Sequence, residues 1–187
     1  MSKKIYDAIE DYDEIKELLN YAERFDMHYK LLLRRYERFK QVNDPMNMDI
    51  DVITYLDMIV VQIRAMCIES PNRTKNYTIQ NLARKFEENE IADRLDAMLD
   101  QDMFSYMPGV SIRKALKLLA DKFICHYDEI PTLEDLEWAE RIEKRLRSPY
   151  EEHNLDEIMG VVQECIGDGL RLKLVKNETD DNIEESC

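Results

Sequence analysis

One short segment gathers most of the residue types needed for acid–base chemistry on a phosphate: Asp121-Lys122-Phe123-Ile124-Cys125-His126-Tyr127-Asp128. Helical spacing puts Lys122 and His126 one turn apart on one face, with Asp121 and Cys125 beside them. An imidazole next to a cation and flanked by carboxylates can serve as general acid or base at neutral pH. The plainer alternative is a core histidine satisfied by a backbone carbonyl or by Asp128, since a single His with neighbours is a weak signal. The chain has three histidines in all. His28 falls off the apolar stripe of its helix and His153 falls in a connector, so both read as surface residues. No Gly-rich phosphate loop, HExxH, GxSxG or EF-hand loop is present. The Glu-x-x-His pattern of di-iron bundles is also missing. The chain is therefore expected to use no metal and no cofactor.

Composition narrows the field further. The 187 residues carry 26 Lys+Arg against 40 Asp+Glu, a formal charge of −14. A broad grip on nucleic-acid phosphates needs a basic stripe that releases counterions, which this balance opposes. The basic residues are nonetheless clustered, at 30–40 (Lys30, Arg34, Arg35, Arg38, Lys40) and around 64–75 (Arg64, Arg73, Lys75), which leaves room for a small RNA-facing site. At the first cluster a solvated, well-capped helix end is the ordinary explanation. The four cysteines lie far apart with no CxxC pair, which excludes a zinc ribbon or thioredoxin-like motif. The first residues lack the apolar core of a signal peptide, and the longest nearly charge-free apolar run is too short to span a bilayer. A cytoplasmic protein with reduced thiols and no membrane contact is expected.

The elements that must position these residues are helices. Only 4 Gly and 5 Pro argue against a sheet-rich sandwich or barrel. Tyr12, Ile15, Leu19, Ala22, Phe25, Tyr29, Leu32, Tyr36 and Phe39 recur at steps of three and four, one apolar stripe along one or two helices. Ile53, Leu56, Val60, Ile63 and Cys67 mark a central helix, apolar around most of its girth and closed by Ser70-Pro71. Thr78 caps a third helix whose phase slips near Asn89, predicting a kink or break. The loop at 101–109 carries Met103, Phe104, Tyr106 and Met107; an apolar loop of this kind packs back or meets a partner. Ser111 caps a fourth helix with Ile112, Leu116, Leu119, Phe123 and His126 in its stripe. Thr132-Leu133-Glu134-Asp135 opens a fifth with a capping-box pattern, its stripe running Leu133, Leu136, Ile142, Leu146. A sixth starts near Asn154. The expected architecture is an all-α bundle of five to seven helices in a single domain over 1–175, followed by an acidic tail at 176–187 of disordered composition.

Three stretches, taken in order, resemble a known family. They are the basic, aromatic helix end Leu33-Arg34-Arg35-Tyr36-Glu37-Arg38-Phe39; Ile68-Glu69-Ser70-Pro71 with the loop leading into Lys75-Asn76-Tyr77-Thr78-Ile79-Gln80-Asn81-Leu82; and the Asp121 to Asp128 segment. Over roughly residues 20 to 145 the chain resembles the HEPN superfamily (higher eukaryotes and prokaryotes nucleotide-binding), particularly its abortive-infection AbiU-like branch. The resemblance implies a helical bundle that often dimerises through its central helices. It also implies kinship with metal-independent ribonucleases of toxin–antitoxin, abortive-infection and phage-defence systems. The family signature pairs an Arg, usually followed by a polar residue, with a His downstream on the same helix. His126 and Asp128 align with it. The Arg position is Ala120, and the polar position is Asp121.

That departure has a physical consequence. When a 2′-hydroxyl attacks its own phosphate, the developing negative charge needs a nearby cation. Arg offers a planar fork, whereas Lys122 is a point charge on a flexible stem. Arg64, on the central helix, is the other candidate cation. Three readings follow. The first is a non-catalytic HEPN-like binding or regulatory module acting through helix-face or dimer contacts. The second is an active ribonuclease using His126 with Asp128, and Lys122 or Arg64 on the phosphate. The third is an acidic inhibitor imitating nucleic acid. Candidate binding residues are Arg73, Lys75 and Asn76 in the polar loop and Met103, Phe104 and Tyr106 in the apolar one. The expected partners are a second copy of the chain, an antitoxin or defence protein, and RNA.

Overall fold

The computed structural model describes residues 24–44, 49–68, 78–106, 108–121 and 132–167. Seven helices and no strand occur among the described residues. They are α1 (24–42), α2 (Ile50–Ile63), α3 (Ile79–Lys85), α4 (Asn89–Leu99), α5 (Ile112–Leu118), α6 (Leu133–Arg147) and α7 (Leu155–Cys165). The all-α bundle expected from the sequence is what the chain adopts. No helix among the described residues is long and apolar enough to cross a membrane.

Local chemistry sets the helix ends. Asp49, Thr78, Ser111, Thr132 and Asn154 each accept a hydrogen bond from a backbone N–H of the first turn they precede. Each thereby satisfies a donor that the helix itself leaves orphaned. Thr132 and Asp135 form the full reciprocal capping box. The phase slip near Asn89 is a true break: α3 closes through Glu88 N donating to Ala83 O at 2.8 Å, with Glu87 at φ 62°. Left-handed backbone of this kind turns the chain sharply enough to start α4 at once.

The apolar stripes meet in one core. Phe25, Tyr29, Leu32, Tyr36 and Phe39 of α1 are all buried, as are Leu56, Val60 and Ile63 of α2. α4 packs on α3 and α7, α7 also on α6, and α5 on the turn that follows α2. The α6 stripe is shorter than its sequence suggests. Ala139, Ile142 and Leu146 are buried, but Leu133 and Leu136 are exposed at 74% and 49%. The first turn of α6 thus stands clear of the core.

Polar links hold the packing in register. Tyr36 Oη donates to Asp156 Oδ1 at 2.7 Å, joining α1 to α7. Asn43 Nδ2 donates to Arg147 O at 2.9 Å, and Arg147 Nη2 to Asp44 O at 3.0 Å, tying the ends of α1 and α6. Arg35 donates to Gln62 Oε1 at 2.6 Å, and Gln62 in turn donates to His28 O. Asp96 accepts from Arg113 at 2.9 Å, Arg84 at 2.9 Å and Gln80 at 3.1 Å, so one carboxylate joins α3, α4 and α5. Burial raises the pKa of Asp96, but these three donors outweigh it and hold the carboxyl below its ordinary value.

Candidate functional site

α2 ends in a π-helical turn, Arg64–Ile68, and α5 runs into a π-helical stretch at 119–121. π-turns widen the helix and re-aim side chains, and they recur at functional positions. Here they bring Arg64 and Asp121 face to face. Arg64 Nε lies 2.6 Å from Asp121 Oδ1, with the two side chains 28% and 27% exposed. The contact is an ion pair between two part-buried side chains. Beside it, Ala120 is fully buried in the core. Lys122, His126 and Asp128 lie outside the described residues, as do Arg73, Lys75 and Asn76. Of the residues expected to handle a phosphate, the structure therefore describes Arg64, and it sets a carboxylate against that cation.

The first basic cluster resolves into local pairs. Lys30 bridges Asp26; Lys40 bridges Glu37 at 2.8 Å and lies 4.6 Å from the Tyr36 ring centre. Arg38 donates to Gln41 at 2.8 Å. Two of its five cations are thus paired with carboxylates of their own helix, while Arg35 reaches across to Gln62 of α2.

The apolar loop packs back. Met103 N donates to Val110 O at 2.8 Å and Ile112 N to Gln101 O at 2.9 Å, closing the loop at its base. Gly109, at φ 107°, donates its N–H to Asp102 Oδ1 at 2.9 Å. An L side chain would be strained at that angle. So tied, the loop drives Met103 and Phe104 into the core, at 0% and 2% exposure, and leaves Tyr106 67% exposed. Met103 and Phe104 are therefore packing residues, and Tyr106 is the member of the trio open to a partner.

Phe104 meets a face of α6 that the sequence reading missed. Trp138, Arg141, Lys144 or Arg145, and Ser148 fall at helical spacing along it. The Phe104 ring centre is 5.8 Å from that of Trp138 and 5.6 Å from that of Tyr106, and Arg145 stacks 5.0 Å above it. Arg145 is 8% exposed and donates to Glu152 O at 3.1 Å while bridging Glu151 at 2.9 Å. Phe104, Tyr106, Arg141, Lys144, Arg145, Ser148 and Glu151 line a cleft of about 250 Å³. The sequence signal was the run of basic residues closing α6, which reads at first sight as ordinary complementation of the helix dipole.

A second cleft, about 340 Å³, opens between α4 and α7 and includes Arg94, Gln101, His153 and Glu157. His153, expected at the surface, is only 24% exposed and sits at φ 58° with Nδ1 3.9 Å from Glu157 Oε2. Arg94 on the opposite wall is bridged to Glu164. Burial pushes the Cys67 thiol far above its ordinary pKa and so disfavours the thiolate, its reactive form. Among the described residues no group of three or more His, Cys, Asp or Glu side chains is placed to hold a metal ion.

Comparison with family models, with curated proteins and with solved structures returns no match to this chain.

Proposed function

We propose that this chain is a HEPN-like helical protein of a bacterial or phage defence or toxin–antitoxin type system, acting in the cytoplasm as a non-catalytic binding or regulatory module. The resemblance in sequence supplies the family, and the all-α architecture is compatible with it. The pairing of Arg64 with Asp121 carries the non-catalytic part of the reading. A cation that must neutralise a phosphate in the transition state needs its charge available there. Asp121 already draws on the Arg64 charge and would repel an incoming phosphate. The signature arginine position is filled by Ala120, fully buried and without charge. Function is then exerted through surfaces, with a second copy of the chain and a protein of the same system as the expected partners.

The test is RNA cleavage by the purified full chain in excess chelator, alongside its His126→Ala variant and with molecular mass in solution measured in parallel. Neither protein is expected to cleave, and the mass is expected to be that of a dimer. Cleavage by the parent chain that disappears in His126→Ala overturns the non-catalytic reading in favour of a metal-independent ribonuclease.

A further inference from the structure

The cleft between α4 and α7, about 340 Å³, takes no part in the contacts that define the Arg64 region. The two helices pack antiparallel: Cys165 Sγ meets Ile91 O and Arg94 bridges Glu164, which brings the end of α4 beside the start of α7. The middle of the cleft is apolar, walled by Ala97, Met98, Ile112, Ile158 and Val161, of which Met98, Ile112 and Ile158 are buried. Gln101, His153 and Glu157 gather at the end where α7 starts, and Arg94 marks the other end. An apolar body with a few convergent polar groups is the make-up of a small-molecule site.

The charged end is held in place by local bonds. Glu157 Oε2 accepts the His153 backbone N–H at 2.7 Å, and Glu157 N donates to Asn154 Oδ1 at 3.0 Å. The carboxylate is thus tied back against the first turn of α7. His153 adopts φ 58° to reach it, an uncommon angle for a residue with a side chain. Its imidazole lines the same end, with Nδ1 3.9 Å from Glu157 Oε2. Both contacts use Oε2; among the described residues Oε1 has no hydrogen-bond partner. Arg94 adds little opposing charge, because Glu164 bridges it.

An anion in this cleft would meet the Glu157 carboxylate. A neutral apolar molecule would strip water from that carboxylate without replacing the lost bond. An ammonium on an apolar stem suits both parts of the cleft. We propose that the cleft binds a small organic cation, its ammonium on Glu157 Oε1 and its apolar body along Met98, Ile158 and Val161. The formal charge of −14 raises the local concentration of such a cation. The site lies apart from the Arg64–Asp121 pair and does not rest on the function proposed above.

The full chain is titrated by calorimetry and by amide resonances at about pH 8, above the ordinary imidazole range. The probes are phenethylamine, its neutral counterpart phenethyl alcohol, its anionic counterpart hydrocinnamate, and a capped tripeptide carrying one lysine. Phenethylamine is expected to shift the resonances of 94–101 and 153–161 saturably. It should bind about fivefold more tightly than phenethyl alcohol, the worth of one part-screened charge pair, since Glu157 is 56% exposed. Hydrocinnamate should bind weakest. Glu157→Gln keeps an oxygen for the His153 N–H, and is expected to lose the fivefold preference while leaving phenethyl alcohol unchanged. Ala97→Phe, at an exposed position in the wall, fills the cleft and should abolish binding of all the probes. Unchanged unfolding midpoints show that the variants fold.

Any of four results overturns the proposal. One is the absence of saturable shifts with phenethylamine. Another is a preference for the amine that is missing in the parent chain or unchanged in Glu157→Gln. A third is undiminished amine binding in Ala97→Phe, which would place it elsewhere on the molecule. The last is tighter binding of the lysine tripeptide than of phenethylamine, which would make the cleft a socket for a protein side chain.

Discussion

Arg64 and Arg145 both lie at the edge of the helical core, yet their surroundings make them opposite kinds of charge. Arg64 faces Asp121 across two π-helical turns, at 2.6 Å. Arg145 also meets a carboxylate, Glu151 at 2.9 Å, but it lies over an aromatic ring, donates to a backbone carbonyl and shares its cleft with two further cations. The first arrangement sets a carboxylate against the cation that was the alternative to the missing signature arginine. The second concentrates charge in a place the resemblance does not mention. A formal charge of −14 describes neither, because what a ligand meets is the balance of groups within a few ångströms, less screened where water is excluded.

The comparison is broken most severely at Phe104, on which the second region rests. Phe104→Ala is expected to cost about 3–4 kcal/mol, from lost burial and the cavity left behind. Tyr106→Ala, one turn of loop away but exposed, should stay within about 0.5 kcal/mol. Urea unfolding of the two variants measures the contrast, and equal losses would mean that Tyr106 is also a packing residue.

Asp96→Asn comes next, with an expected loss of about 2 kcal/mol at pH 7, because charge-assisted bonds from two arginines are weakened together. The native Asp96 pKa lies below its unfolded value. Its contribution is thus full above the ordinary carboxyl range and fades as pH falls through the native pKa. Denaturant titrations from pH 7 into acid should show parent and variant converging.

Asp121→Ala should cost about 1–2 kcal/mol, less than a fully buried pair would because both partners are part-exposed. A double-mutant cycle with Arg64→Met isolates the coupling. A coupling near zero would mean that the two charges ignore one another, removing the main support for a silenced site.

The smallest effect sits on another face of α6. There burial, then the charge of Asp57, raises the pKa of Glu143, with Arg147 opposing. The native state therefore holds this proton more tightly than the unfolded chain, and ionised Glu143 weakens the fold at neutral pH. Glu143→Gln is expected to raise stability by about 0.5–1 kcal/mol at pH 7. The gain should vanish below the ordinary carboxyl range, and a pH-independent gain would place its origin in packing.

Much of the bundle was legible in the chain because helices are local. The three-and-four spacing of Phe25, Tyr29, Leu32, Tyr36 and Phe39 and the caps at Thr78, Ser111, Thr132 and Asn154 depend on neighbours within a turn. The same logic overreached at Leu133 and Leu136, since periodicity says which residues share a face but not whether another element covers it. The candidate sites were less legible. Arg64 and Asp121 are 57 positions apart in the sequence, and nothing in either segment announces that they meet.

The sequence by itself determined the helical class, the places where helices start, the break between α3 and α4, and an apolar loop that had to pack or dock. Each follows from backbone hydrogen bonding and side-chain spacing over a few residues. Only the tertiary structure decided that Phe104 turns inward while Tyr106 stays out, that Asp121 answers Arg64, and that the cations closing α6 gather over aromatic rings. Those outcomes depend on which surfaces come together once the core closes, and burial and pairing are properties of that closure rather than of any segment in it.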